Sequence, residues 1–255
     1  MCLLVLFFRC LPETPLFLAA NRDEYHRRPA APPEVRPASR SRAAFLAPRD
    51  EEAGGTWIGL NGTPAVAALT NRSELPPPGG APSRGWICAR ALRAGDAAAM
   101  ARAALEEGGR RSYGGFNLLA ADRERAYLVS GGGGRVSCAG LPPGVHVLTN
   151  EGEWNTLPLP LSLSPGKART REALLEKVLP FLRSHTPLVP GEAAPCKHHP
   201  DRGTRSSTVI ALGSGPPLFL HAPGPPCTTP YRDHSPEAAE LLKARAFQGE
   251  DRGSA

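Results

Sequence analysis

The chain has 255 residues, 30 of them basic and 24 acidic, for a net charge of +6, and 41% are hydrophobic. That length can bury a sizeable core, and no run approaches the ~18 consecutive apolar residues of a membrane-spanning helix. The basic excess gathers amid Pro and Ala at Arg27, Arg28, Arg36, Arg40 and Arg42; lacking interleaved aromatics or a helical array, it reads as a solvated loop and argues against a nucleic-acid partner.

Leu3–Phe8 is a continuous apolar run of strand length, and Pro15–Asn21 is a second, with a turn at Leu11–Thr14 between them. Two fully apolar strands so close together predict a sheet covered on both faces. The opening MCLLVLFF has no basic n-region and no small-residue cleavage site, so it is not read as a signal peptide. Arg27–Pro48 is expected to be a Pro-rich irregular loop. Gly54–Leu60 and Ala65–Thr70 flank Asn61-Gly62, a strong hairpin signal. Helices are predicted over Arg84–Arg93 and Ala97–Glu107, the second capped by Asp96 and stopped by Gly108. Phe116–Asp122 and Arg125–Ser130 form a predicted hairpin, followed by a four-Gly turn and a strand at His146–Asn150. Thr170–His185 carries an amphipathic stripe of Leu174, Leu175, Val178 and Leu182. Val189–Arg202 reads as a loop, Ser206–Leu212 and Leu218–Ala222 as strands, and Ser235–Phe247 as a helix with Ser as N-cap and Pro at its first position. The last residues, from Gly249, read as a frayed end. Hairpins interrupted by helices predict an α+β fold with antiparallel sheets and helices on their faces.

Six cysteines are scattered without a C-x-x-C pair, a pattern expected of reduced thiols in a cytoplasmic protein. His198-His199 next to Cys196 lacks a second ligand pair and is expected to be a solvated loop, so no metal site is predicted. Gly131–Gly134 is followed by no helix start or Lys-Ser/Thr and is not a phosphate loop. Ser83–Gly85 at a helix start is read as a plain cap.

Cys2 carries the chemical interest. Removal of Met1 would leave it with a thiol and a free α-amine of pKa about 7.7–8.0, so one residue would supply both a nucleophile and its base. Asn21, Arg22, Asp23 and Glu24 directly follow the second buried strand, and ionisable groups at the end of an apolar strand are costly unless paired. They form either a salt-bridged strand end or, because the two strands are hairpin neighbours, a polar cluster beside Cys2. In the second case Arg22 would favour the thiolate and Asp23 would hold the amine. Asn71 and Asn150 each end an "LTN" strand and could turn an amide N–H toward an oxyanion. Arg205 precedes a late strand and is read as either a solvated Arg or an anion clamp.

Taken together, Met1-Cys2, LAANRDEYHRRP (18–29), GGTWIGL (54–60), AALTNR (67–72), SRG (83–85), YGGFNLLAAD (113–122) and GTRSSTVIAL (203–212) resemble the NRDE family, which includes the transport-and-Golgi-organisation-two proteins. The resemblance implies a single domain over residues 1–255, ending in a helix and frayed tail from residue 234. Its fold would be the four-layer αββα sandwich of two antiparallel sheets found in N-terminal nucleophile (Ntn) hydrolases. It is similar in layout to choloylglycine hydrolases and penicillin V acylases, and by motif it carries catalytic places onto Cys2, Asp23, Asn71, Asn150 and Arg205. Arg22, Trp57 and Asn117 are expected to bind substrate. Arg22 departs from the acylase pattern, being adjacent to Asp23 rather than separated from it by two residues.

The function these expectations favour is hydrolysis of an amide or thioester bond in a small acyl substrate, with no cofactor. The alternative, taken from the family's links to Golgi organisation, haem trafficking and lipid metabolism, is a non-catalytic carrier of haem, lipid or acyl-CoA. A third reading is a scaffold whose ancestral site is only structural.

Overall fold

The computed structural model describes residues 2–39, 42–150, 163, 168–187 and 194–250. The first sheet is built from β1 (Leu3–Phe8), β2 (Leu16–Tyr25), β10 (Gly144–Thr149), β11 (Arg202–Leu212), β12 (Leu218–Ala222) and β13 (Arg232–Asp233), in the order β10-β1-β2-β11-β12-β13. The second runs in chain order through β3 (Ala30–Arg36), β4 (Phe45–Asp50), β5 (Ile58–Asn61), β6 (Val66–Asn71), β7 (Phe116–Ala121), β8 (Ala126–Gly132) and β9 (Arg135–Gly140). All pairings are antiparallel.

Because successive side chains point to opposite faces of a strand and both faces here are covered, β1 and the first half of β2 are apolar on both sides. Leu4, Leu6, Phe8, Leu16 and Leu18 point into the core between the sheets, where they meet Leu46, Ile58, Leu60, Val66 and Leu119. Leu3, Val5, Phe7, Phe17 and Ala19 point the other way, onto Leu174, Val178 and Leu182 of α3 (Arg171–Arg183). Beyond the second sheet lie α1 (Gly85–Leu92) and α2 (Ala97–Arg110), whose Ile87, Leu92, Met100 and Ala104 pack on Phe45, Phe116, Leu118 and Val129. The layers are therefore α3, six strands, seven strands and α1/α2, the predicted αββα order. The fourth helix, α4 (Ser235–Glu250), closes the inter-sheet core with Ala238 and Leu241. Among the described residues no helix is long and apolar enough to cross a membrane.

Several local expectations fail for identifiable reasons. The segment expected as loop 27–48 contains β3 and the start of β4. Edge strand β3 accommodates Pro32 and Pro33 where its register with β4 shifts between Ala31 and Glu34, and an edge strand can lack those N–H donors. Strand β9 pairs with β8 after the glycine turn, although five of its six residues are exposed and give no burial pattern to read. Asp96 caps α2 as expected, accepting from the Ala99 N–H at 2.8 Å. Gly108 does not stop it: a Cβ there would stand 2.8 Å from Phe116 Cζ, so the glycine is a packing residue inside the helix. Strand β2 runs on to Tyr25, so the NRDE residues belong to the strand rather than follow it. The Ser235 hydroxyl accepts from the Phe219 N–H at 3.0 Å, tying α4 to β12, and the helix persists through Gly249 and Glu250. The final five residues lie outside the described set.

Candidate active site

The polar ends of β1, β2 and β6 meet around one cavity of about 370 Å³, lined by Cys2, Arg22, Glu24, Asp50, Trp57, Asn71 and Arg84 among others. Register explains the neighbourhood of Cys2. Leu3 faces Asn21 on β2 and Thr149 on β10, so one step back along β1 the flanking positions are Arg22 and Asn150. The second sheet is drawn in by the Thr70 hydroxyl donating to the Thr149 carbonyl at 3.5 Å and by the Ser73 N–H donating to the Asn150 carbonyl at 3.0 Å. The far wall depends on glycine: a Cβ on Gly55 would lie 2.5 Å from the Gly85 carbonyl carbon. That close approach seats the GGTW turn on the start of α1, bringing Trp57 and Arg84 to the same cavity.

Of the expected residues, Cys2, Arg22, Asp23, Trp57 and Asn71 all line this cavity. Cys2 is half-buried, with Sγ 3.8 Å from the Asp23 backbone oxygen. Burial, and then the Asp23 charge, push its thiol above the ordinary value, while Arg22 pulls in the opposite direction. Arg22 is buried, with its guanidinium 4.2 Å from the Trp57 ring centre, a cation–π arrangement. It reaches Glu24 at 3.6 Å and Asp50 at 3.9 Å, yet its Nη1 has no partner. Desolvation lowers its pKa from the usual guanidinium value, against the opposing charges of Glu24 and Asp50.

The NRDE residues divide by strand face. Asn21, turned toward α3, is structural: its Nδ2 donates to the carbonyls of Leu182 at 2.9 Å and Pro195 at 2.8 Å, satisfying an orphan carbonyl at the helix C-terminus. The Asp23 carboxylate accepts from Lys197 Nζ at 2.7 Å and from the Thr204 hydroxyl at 2.7 Å. Lys197 had no signal in the sequence, lying 174 positions away in a segment without periodicity. Arg28, Asp50 and Arg84 were likewise missed. Arg28 binds Asp50 through Nε and Nη2, at 2.9 and 2.7 Å, and approaches Glu24 at 3.5 Å. The i,i+4 spacing of Glu24 and Arg28 could have hinted at that last contact, but Asp50 enters from the other sheet.

The remaining expected residues stand outside the cavity lining. Asn150 is beside Cys2 by register, and its Oδ1 is buried without a partner. Arg205 occupies the irregularity between Thr204 and Ser206 on β11, and its Nε is buried without a partner. Such a bulge re-aims the side chain relative to its neighbours. Asn117 is buried on β7, with Oδ1 accepting from the Ser130 hydroxyl at 2.6 Å. That bond accounts for its amide oxygen within the sheet, and Asn117 does not line the Cys2 cavity.

His198 and His199 are exposed, as expected of a loop. Cys196 is buried, and the fold brings His185 and Cys227 to it and to His198.

The two-sheet arrangement occurs in a mutant conjugated bile acid hydrolase from Clostridium perfringens, which matches with a TM-score of 0.50 at 12% identity over 95% of this chain and 94% of that one. The R18L variant of that hydrolase gives the same TM-score, identity and coverage. This defines the class of the fold, an Ntn-hydrolase-like α+β sandwich. The family follows from sequence: residues 1–214 match the model of Transport and Golgi organisation 2, and the chain belongs to that family. A Transport and Golgi organization protein 2 homolog from Bos taurus is 30% identical over 227 residues, covering 77% of this chain and 82% of the relative. The Homo sapiens homolog is 28% identical with the same coverage.

Proposed function

We propose that this chain is an N-terminal-cysteine hydrolase that cleaves an amide or thioester bond in a small acyl substrate. The observation that carries the reading is the meeting of Cys2, Arg22 and Asn71 at a single cavity. Removal of Met1 frees the Cys2 α-amine, which takes the thiol proton. The sulfur then attacks the substrate carbonyl to form a tetrahedral adduct. Its oxyanion accepts hydrogen bonds from the Asn71 amide, with Asn150 as a second donor. The protonated amine gives its proton to the departing amine or thiolate, leaving an acyl-thioester on Cys2. Water, deprotonated by the same amine, attacks that thioester and releases the carboxylic acid and the free thiol.

Asp23, oriented by Lys197 and Thr204, holds the α-amine. Arg22 offers its unpartnered Nη1 to a substrate oxygen, and Trp57 fixes the guanidinium plane. A haem or lipid carrier would want an apolar wall, whereas Arg22, Glu24, Arg28, Asp50 and Arg84 line this one. That contrast favours hydrolysis of a polar acyl substrate over transport.

Intact-mass measurement tests the first step: the purified chain should lack Met1, and retention of Met1 would end the self-activating mechanism. A panel of thiol-directed acyl probes should label Cys2 selectively over Cys10 and Cys138, and Cys2→Ala should abolish the adduct. With a probe that turns over, Asn71→Ala should slow acylation by about 10²–10³. Labelling spread evenly over the exposed cysteines would refute the assignment.

A further inference from the structure

Outside the cavity, four side chains with metal-ligand chemistry converge at the edge of the first sheet. His185 follows α3, Cys196 and His198 lie on the approach to β11, and Cys227 lies between β12 and β13. One ligand atom from each falls within 4.8 Å of all the others. The separations are 3.6 Å for Cys196 Sγ–Cys227 Sγ, 3.2 Å for His198 Nε2–Cys227 Sγ and 4.0 Å for Cys196 Sγ–His198 Nε2. A tetrahedral zinc with Zn–S of about 2.3 Å and Zn–N of about 2.0–2.1 Å requires S···S near ~3.8 Å and S···N near ~3.5 Å. The observed edges bracket those values.

Tautomer geometry agrees. His185 Nδ1 is 3.1 Å from the Cys196 carbonyl oxygen. A carbonyl can only accept, so Nδ1 carries the hydrogen and Nε2 keeps a lone pair for a metal, the usual orientation of a ligating imidazole. Both cysteines are free thiols.

We propose that His185, Cys196, His198 and Cys227 form a Cys₂His₂ site for a zinc ion, independent of the hydrolase reading. Two thiolates and two imidazoles select a borderline-soft divalent cation over magnesium or calcium. Four protein ligands close the coordination sphere, which makes the site structural rather than catalytic. The ion clips together three segments distant in sequence. Lys197 lies between two of the ligands and donates to Asp23 at 2.7 Å, so the clip also anchors the strut that orients this carboxylate at the Cys2 cavity.

The test uses the full chain, produced with zinc in the medium and purified under reducing conditions without chelator. Elemental analysis should find about one zinc per chain, at least tenfold less in Cys196→Ser and Cys227→Ser, and no change in Cys138→Ser, whose thiol is exposed and remote. Replacement with cobalt(II) should give thiolate-to-metal charge-transfer and tetrahedral d–d bands. His185→Ala and His198→Ala should weaken zinc binding by at least about 10-fold, and they keep the test open if the cysteine variants do not fold. A wild-type chain that takes up neither zinc nor cobalt would overturn the site. So would a cobalt spectrum unchanged in both histidine variants, or a Cys196–Cys227 disulfide in protein kept reducing throughout.

Discussion

The two ends of the β1–β2 hairpin differ in burial and are built from opposite chemistry. Toward the turn, Phe8, Leu16 and Leu18 sit in the core between the sheets, and Phe7 meets Phe17 edge-on at 5.8 Å between ring centres. Toward the other end the same strands present Cys2, Arg22 and Asp23. Arg22 is held by Trp57 and Asp50 from remote segments and by its strand neighbour Glu24, and Asp23 by the remote Lys197 and Thr204. The apolar end derives stability from area, which is tolerant of partner identity. The charged end depends on particular pairings, because a buried charge that loses its partner retains its desolvation penalty.

The largest effect tests the apolar end. Phe17→Ala should cost about 3–5 kcal/mol in urea denaturation, whereas Cys2→Ala, half-buried at the charged end, should cost about 1 kcal/mol or less. Equal losses would dissolve the distinction. Next, Lys197→Met should cost about 3 kcal/mol by removing the ammonium that donates to Asp23 at 2.7 Å. Removing both groups in Asp23→Asn/Lys197→Met should cost less than the two single losses added together, as a double-mutant cycle would detect.

Gly108→Ala carries the comparison to the outer helical layer. Helix propensity alone favours alanine by about 1 kcal/mol, but the 2.8 Å approach to Phe116 should reverse the sign and destabilise by about 1–3 kcal/mol. A stabilised variant would show that this layer packs loosely.

The last effect appears only as pH is varied and concerns a titratable group within the apolar region. His221, whose Nδ1 lies 2.9 Å from the Thr208 hydroxyl, is pushed down to about 3, first by burial and then by the charges of His234 and Arg232. It stays neutral in the folded chain while the unfolded chain protonates near 6.5. Its contribution is therefore complete above about pH 6.5 and is lost as pH falls toward about 3, with a slope of up to about 1.4 kcal/mol per pH unit. Burial lowers His146 as well, with the same sign. Denaturant midpoints measured across that window should show a shallower acid limb in His221→Gln.

Much of the architecture was legible. Continuous apolar runs at Leu3–Phe8 and Leu16–Ala20 announced a sheet covered on both sides, the Asp96 cap located α2, and the Thr170–His185 stripe located α3. Exposed or Pro-bearing strands such as β3 and β9 were not legible, since backbone pairing to a neighbour forms them and no burial pattern marks them. The site was half legible. Cys2, Arg22, Asp23, Trp57 and Asn71 share the cavity as local strand logic and motif resemblance suggested, but Asn117 is turned into a sheet contact with Ser130. Arg28 and Asp50 bind across strands, and Lys197 arrives from beyond α3.

Sequence alone determined the elements whose cause is local: apolar runs, a helix cap, and a cysteine at position 2 beside a polar strand end. Family membership was also legible there, because its motifs occur in order along one dimension. Only the tertiary structure decided which charges answer one another and that His185 and Cys227 come beside Cys196 and His198. Those decisions depend on distances of a few ångströms between segments tens to hundreds of residues apart, and spacing along a chain does not encode such distances until the sheets have formed.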